Sequence, residues 1–223
     1  MKGIRGLLEK DFRLFRYQGG RFFLVIGLIA LFFSLSGGMG TGFVTIYVSS
    51  VLAIYGGSTI SYDEVGHGFE YLFSLPVSRK VYVKEKYIFS LIMTVCGWVI
   101  GMICTGIAVL AKREVYYDKD MLLESLVSLL VIMAVAGIMI AIRLRFEGEK
   151  GRLVFPIVFL AVFAVIYFSI DFVKSYPAIE ETLGRMMSGI GDFGMITGVV
   201  AVSVVVLLIS YGYSMKVIKE KEF

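Results

Sequence analysis

Charge is scarce in this sequence, and it is missing in blocks. Of 223 residues, 18% are Asp, Glu, Lys or Arg and 58% are hydrophobic, whereas a soluble domain carries about 25% and about 45–50%. Five stretches hold no charged residue: Phe22–Tyr62, Tyr87–Ala111, Ser125–Ile142, Leu153–Ile170 and Phe193–Met215. Together they exceed half the chain. Mostly apolar runs of about 18 residues or more read as transmembrane helices, so a soluble enzyme is excluded. Cysteine is limited to Cys96 and Cys104, which roughly 12 Å of helix would separate, beyond disulfide reach. No metal or redox spacing exists, and both are expected to pack as small residues. His67 is the single histidine and falls outside the spans, so an intramembrane catalytic constellation is lacking. No ionisable side chain falls near the middle of a span, which excludes proton pumps, ion-coupled carriers and voltage sensors. A Gly-x-x-x-x-Gly-Lys-Ser/Thr phosphate loop is absent as well. Any work this chain performs must be powered from outside it.

The Phe22–Tyr62 block would reach roughly 60 Å as one helix, about twice the hydrocarbon thickness. Four glycines within Ser36–Gly42 break it. Six spans result, at about 22–35, 43–60, 87–110, 122–142, 153–172 and 194–215, and what remains leaves no room for an ordinary soluble domain. Seventeen of the 22 Lys and Arg residues flank one side of these spans, so both termini are expected in the cytoplasm. The net charge of +4 and pI near 9.0 express that topology, and nucleic acid is not expected as a partner. Gly97 and Gly101, and Gly137 with Ala141, have the spacing that allows close helix approach in lipid. Phe22, Phe23, Tyr87 and Tyr213 at span ends read as an interfacial aromatic belt. Uncharged spans rich in Met, Phe, Tyr and small residues are compatible with an amphipathic or hydrophobic cargo.

Two cytoplasmic segments carry more specific information. In residues 1–21, Ile4, Leu7, Leu8, Phe12, Leu14 and Phe15 share one helical face and Lys2, Arg5, Lys10, Arg13 and Arg16 the other, which predicts an interfacial amphipathic helix. Asp11 projects into the apolar face. It either docks against another cytoplasmic element or snorkels beside Lys10. In the loop after span 2, Ser61 and Glu64 have capping-box spacing, and Val65, Phe69, Leu72 and Phe73 follow on one face. Pro76 stops this helix, and Ser78 is a plausible N-cap for the next span. A short helix, aromatic on one face and acidic at Asp63, Glu64 and Glu70 on the other, suits docking into a groove of a soluble protein.

Tyr62-Asp63-Glu64, then Tyr71-Leu72-x-x-Leu75-Pro76-Val77-Ser78-Arg79-Lys80 and Lys86-Tyr87, resemble the signature of type-2 ABC-transporter permeases. The branch most similar is the small bacterial six-span permeases that pair with a separate ATPase. The opening Leu8-x-Lys10-Asp11 matches too, and Gly66-His67-Gly68 departs from the better helix formers expected there. The resemblance implies an all-α integral membrane protein of six spans, with a connecting helix at 1–21 and a permease domain at 22–223. It also implies a coupling helix at 61–76 that receives the stroke of an ATPase. By resemblance, Asp63, Glu64, Phe69, Glu70, Tyr71, Leu72, Phe73, Leu75, Pro76 and Arg79 serve ATPase coupling, and Leu8, Lys10 and Asp11 belong to the connecting helix. Short amphipathic or re-entrant helices are implied between spans 5 and 6, where Ile179, Leu183, Met186, Met187 and Ile190 fit. ATP and Mg would sit on two partner ATPase subunits, with no cofactor on this chain. A second permease copy or paralogue would complete an exporter in the inner membrane. The alternative is a non-transporting immunity, sensor or scaffold subunit that uses the same helix to hold a soluble partner.

Overall fold

Hydrocarbon offers no water to backbone N–H and C=O groups, so an uncharged chain satisfies them within helices. The computed structural model describes residues 2–36, 41–64, 68–74, 77–112, 119–146, 154, 156–157, 160 and 177–220, and no strand occurs among the described residues. Its helices are α1 (Lys2–Ser36), α2 (Thr41–Glu64), α3 (Gly68–Ser74), α4 (Arg79–Lys112), α5 (Lys119–Arg145) and α6 (Pro177–Glu220). Gly42–Glu64, Arg79–Ile107, Leu122–Arg145 and Ile196–Glu220 are long and apolar enough to cross a membrane, and α1 adds a shorter apolar stretch, Phe23–Phe33. The expected span at 153–172 lies outside the described residues except for Val154, Pro156, Ile157 and Leu160, all helical. The chain is an all-helical membrane protein.

Several boundaries differ from those read in the sequence. The amphipathic segment and the first span are one helix of 35 residues, with no break at residue 21. Ser61 and Glu64 do not cap a separate helix. They form the last turn of α2, and α3 starts at Gly68. The glycine there has a steric cause, because an added Cβ would collide with the carbonyl oxygen of Asp63. Helix α4 begins eight residues before the expected span, so Glu85 and Lys86 are helical and buried, not in a loop. Ser78 does precede its first turn, accepting at Oγ from the Val81 N–H (3.3 Å) and at its carbonyl from the Tyr82 N–H (3.1 Å). Toward the C-terminus α6 is one continuous helix of 44 residues where separate short helices were expected. Pro177 opens it, in the position where a missing N–H costs nothing.

Helix α2 is central and α6 peripheral: 56% of the α2 span is buried, against 11% of the α6 span. The small-residue faces work within the chain. A Cβ on Gly101 would lie 2.6 Å from the Cα of Thr45, and one on Gly97 2.9 Å from the Cα of Ser49, so α4 meets α2 backbone to backbone. Gly137 approaches Leu207 of α6. Thr45 and Thr105 are joined by a 3.3 Å hydrogen bond between α2 and α4. One end of the bundle gathers Leu7, Ile60, Phe69, Leu72, Tyr82, Leu144 and Ile218 into a single core, bringing together α1 to α6.

This packing makes a signed prediction. Gly101→Ala should lower thermal stability in detergent by about 1–3 kcal/mol, because backbone must move to admit one methyl. Gly106→Ala on the same helix meets open space and should not lower it. Melting curves of the two variants decide.

Candidate functional site

The end of the bundle that holds α3 also holds a knot of buried charge. Helix α1 contributes Lys10 and Asp11, α2 contributes Thr59 and Asp63, and α4 contributes Tyr82, Glu85 and Lys86. Asp11 and Lys86 are both 0% exposed. The Lys86 ammonium donates to Asp11 Oδ2 (2.5 Å) and Thr59 Oγ1 (3.1 Å) and pairs with Asp63 Oδ2 (2.7 Å). An ammonium has three donors, and here each finds an oxygen. Lys10 bonds Asp63 Oδ1 and lies 3.3 Å from Asp11 Oδ1, so two lysines and two aspartates alternate around a closed ring. That last approach is an ion pair without hydrogen-bond geometry, since Asp11 Oδ1 has no hydrogen-bond partner. Tyr82 donates its hydroxyl to Asp63 Oδ2 (3.0 Å).

Asp11 therefore docks; it does not snorkel beside Lys10. Its place on the apolar face is explained by Lys86, 75 residues away. Lys86 entered the sequence reading only within the family signature and Tyr82 not at all, because a lysine near the start of a span reads as an interfacial charge. A hint existed in the pairing of two anomalies: an acid on an apolar face, and a lysine immediately before an uncharged run. Glu85 is also fully buried. It lies 3.9 Å from Lys86, and neither of its carboxylate oxygens has a hydrogen-bond partner.

Helix α3 sits directly on this knot. Phe69 and Leu72 are buried, at 6% and 8% exposure, and the rings of Phe69 and Phe73 meet the Tyr82 ring edge-on at 5.7 and 5.8 Å. The aromatic face is thus taken up by the bundle, while Glu70 and Tyr71 turn outward and Tyr71 is 71% exposed. Arg79 stacks over Phe73 at 5.8 Å and donates to the carbonyls of Ile218 (3.4 Å) and Lys219 (3.3 Å), a favourable place for a cation at the end of α6. Arg143 of α5 donates to Ser61 Oγ at 2.5 Å. Leu8 is half-buried and packs on the second core with Ile26, Val48 and Phe89. Glu64 ends α2, and Leu75, Pro76 and His67 lie outside the described residues.

Deeper in the bundle, Tyr87 is buried rather than interfacial. Its hydroxyl lies 2.7 Å from Ser210 Oγ, 2.9 Å from Ser214 Oγ and 3.2 Å from the Gly137 carbonyl oxygen, tying α4 to α5 and α6. Tyr213 is exposed, and Phe23 packs on Phe15 and Tyr55. An apolar cavity of about 330 Å³ opens between α2 and α5, lined by residues such as Ala53, Ile54, Val135 and Met139 and, among the described residues, by no ionisable side chain. Among the described residues no group of His, Cys, Asp and Glu could hold a metal.

The described residues form a helical membrane bundle that carries a short helix braced on buried charge at one end. The chain belongs to the family described as ABC-2 family transporter protein, whose model matches residues 6–219. It is the membrane-spanning permease component of an ABC transporter, a class that works with an ABC ATPase. No curated protein and no solved structure matches the chain significantly.

Removing Lys86 leaves Asp11 buried with Lys10 as its remaining cation, 3.3 Å away and not hydrogen-bonded to it. Lys86→Met should therefore cost about 3–5 kcal/mol, the range for breaking a buried pair from one side. Glu85→Gln, which removes no hydrogen bond, should cost clearly less. Chemical or thermal unfolding of the purified variants ranks them.

Proposed function

We propose that this protein is the permease subunit of an ATP-driven exporter of the cytoplasmic membrane, and that α3 is the coupling helix through which a partner ATPase acts. The observation that carries this reading is the two-sidedness of α3. Its aromatic side is anchored on Tyr82 while Tyr71 on the opposite side is exposed, and Lys80, Lys84 and Lys216 are exposed as well. A rigidly mounted exposed helix transmits force, whereas a loosely tethered one would dissipate it. The basic residues at this end support its assignment to the cytoplasmic side, together with the N-terminal half of α1 and the end of α6.

The six-span reading is supported by connectivity. Helix α5 ends at the α3 end of the bundle and the α6 span begins at the opposite end, so one more crossing joins them. Two permeases, as copies or paralogues, would enclose the pathway, with two ATPase subunits holding ATP and Mg. The apolar cavity beside α2 suits a cargo without fixed charge.

Co-expression with an ABC ATPase, followed by copurification and ATPase assay, tests the reading. Tyr71→Ala should weaken ATPase binding by about 2 kcal/mol, roughly 30-fold, without changing the melting temperature. Phe69→Ala should instead destabilise the permease by about 3–5 kcal/mol. Full ATPase binding and stimulation by a Tyr71→Ala, Glu70→Ala double variant would remove α3 as the contact. Binding without any nucleotide-dependent transport would favour a scaffold subunit.

A further inference from the structure

We propose that Tyr82, Asp63 and Lys86 form a relay that carries displacement of α3 to the N-terminal half of α1, which makes Lys86 a positioning residue for transport. The proposal rests on α3 being the ATPase contact. It deepens that reading by naming where the stroke enters the membrane domain. Four links lie end to end: the rings of Phe69 and Phe73 against Tyr82, the Tyr82 hydroxyl on Asp63, the Asp63–Lys86 ion pair, and the Lys86–Asp11 hydrogen bond.

Each link lacks slack. Tyr82 and Lys86 are both fully buried, so neither can swing to solvent and leave its partners in place. Lys86 has all three donors engaged, and breaking its bond to Asp11 leaves that buried carboxylate only the 3.3 Å ion pair with Lys10. Asp63 is held on both oxygens, by Lys10 on one and by Lys86 and Tyr82 on the other. Helix α1 continues from Asp11 to Ser36 without interruption, so a shift imposed at Asp11 is delivered to the apolar stretch Phe23–Phe33. The ring also explains why a costly buried lysine stands where a hydrophobic residue would pack more cheaply. An apolar contact permits sliding, and an ion pair with hydrogen bonds fixes register.

The test separates a mechanical role from a merely structural one. The permease is placed in lipid nanodiscs with spin labels at Tyr17→Cys and Ser74→Cys, both exposed positions, in a background without Cys96 and Cys104. With Lys86 and Asp11 in place, the α1–α3 distance distribution should be narrow and should shift as a whole when ATPase and nucleotide are added. Asp11→Leu with Lys86→Met removes the buried pair as a unit and leaves Asp63 with Lys10 and Tyr82, so stability should be retained. The distance distribution should nevertheless broaden, and ATPase stimulation should fall about tenfold, within the usual span of coupling energies. Tyr82→Phe, which keeps the ring and loses the hydroxyl, should broaden it less. A stable double variant with a narrow distribution and full stimulation overturns the relay. Should that variant not assemble, unchanged width and stimulation in Tyr82→Phe overturn it equally. If the unmodified permease recruits no ATPase, the assignment of α3 fails. The relay is then decided by the permease alone, supported if the double variant broadens the distribution and overturned if it does not.

Discussion

Everything at the α3 end of this bundle depends on one buried ammonium. Lys86 is out of reach of water, and its burial is tolerable only because Asp11, Asp63 and Thr59 supply an oxygen for each of its three donors. That requirement reaches across the fold. It forces α1 to present an acid on its otherwise apolar face, and it forces α2 to continue helical to its last turn so that Asp63 arrives beside α4. It also fixes the start of α4 well before the uncharged run that marks its span. A hydrophobic substitute would fill the same volume while leaving the three helices free to adjust their relative height.

The rest of the membrane domain is held by weaker and more numerous means. In lipid there is no hydrophobic driving force between helices, so shape and hydrogen bonding must serve. Helices α2 and α4 meet at Gly97 and Gly101 with backbone in contact, and hydroxyl groups such as Tyr87, Ser210 and Thr105 find partners across helices. The outward surfaces of α4 and α6, with Val99, Ile103, Val205 and Leu208 exposed, are what a lipid-facing or permease-facing side requires. Rigid charge at one end and close-packed glycine in the middle divide the labour: the first sets register, the second lets helices approach.

Much of the fold was legible because hydropathy is a strong, local signal. The blocks without charge other than 153–170 fall on α1, α2, α4, α5 and α6, and Ser78 precedes α4 as expected. The candidate site was legible in its α3 segment and in the oddity of Asp11. It was not legible in Glu85, Lys86 or Tyr82, because burial of a charge depends on partners 23 to 75 positions away, and no short window contains them. The same cause misplaced the capping box. Ser61 and Glu64 have the right spacing, but α2 had not yet ended, since Arg143 of a distant helix holds Ser61. The direction of α3 was ambiguous in sequence too, for an aromatic face can serve a partner or its own bundle. Here it serves the bundle.

The sequence alone determined that this protein lies in a membrane, where its charge-free runs fall, and that one short amphipathic element interrupts them. Those properties follow from composition along the chain, where each residue's transfer free energy adds to its neighbours'. Only the tertiary structure decided which lysine is buried, which acid answers it, and which side of α3 turns outward. A charge in low dielectric is stable or not according to the geometry of groups brought in from other helices. The spacing of residues in the chain does not contain that geometry.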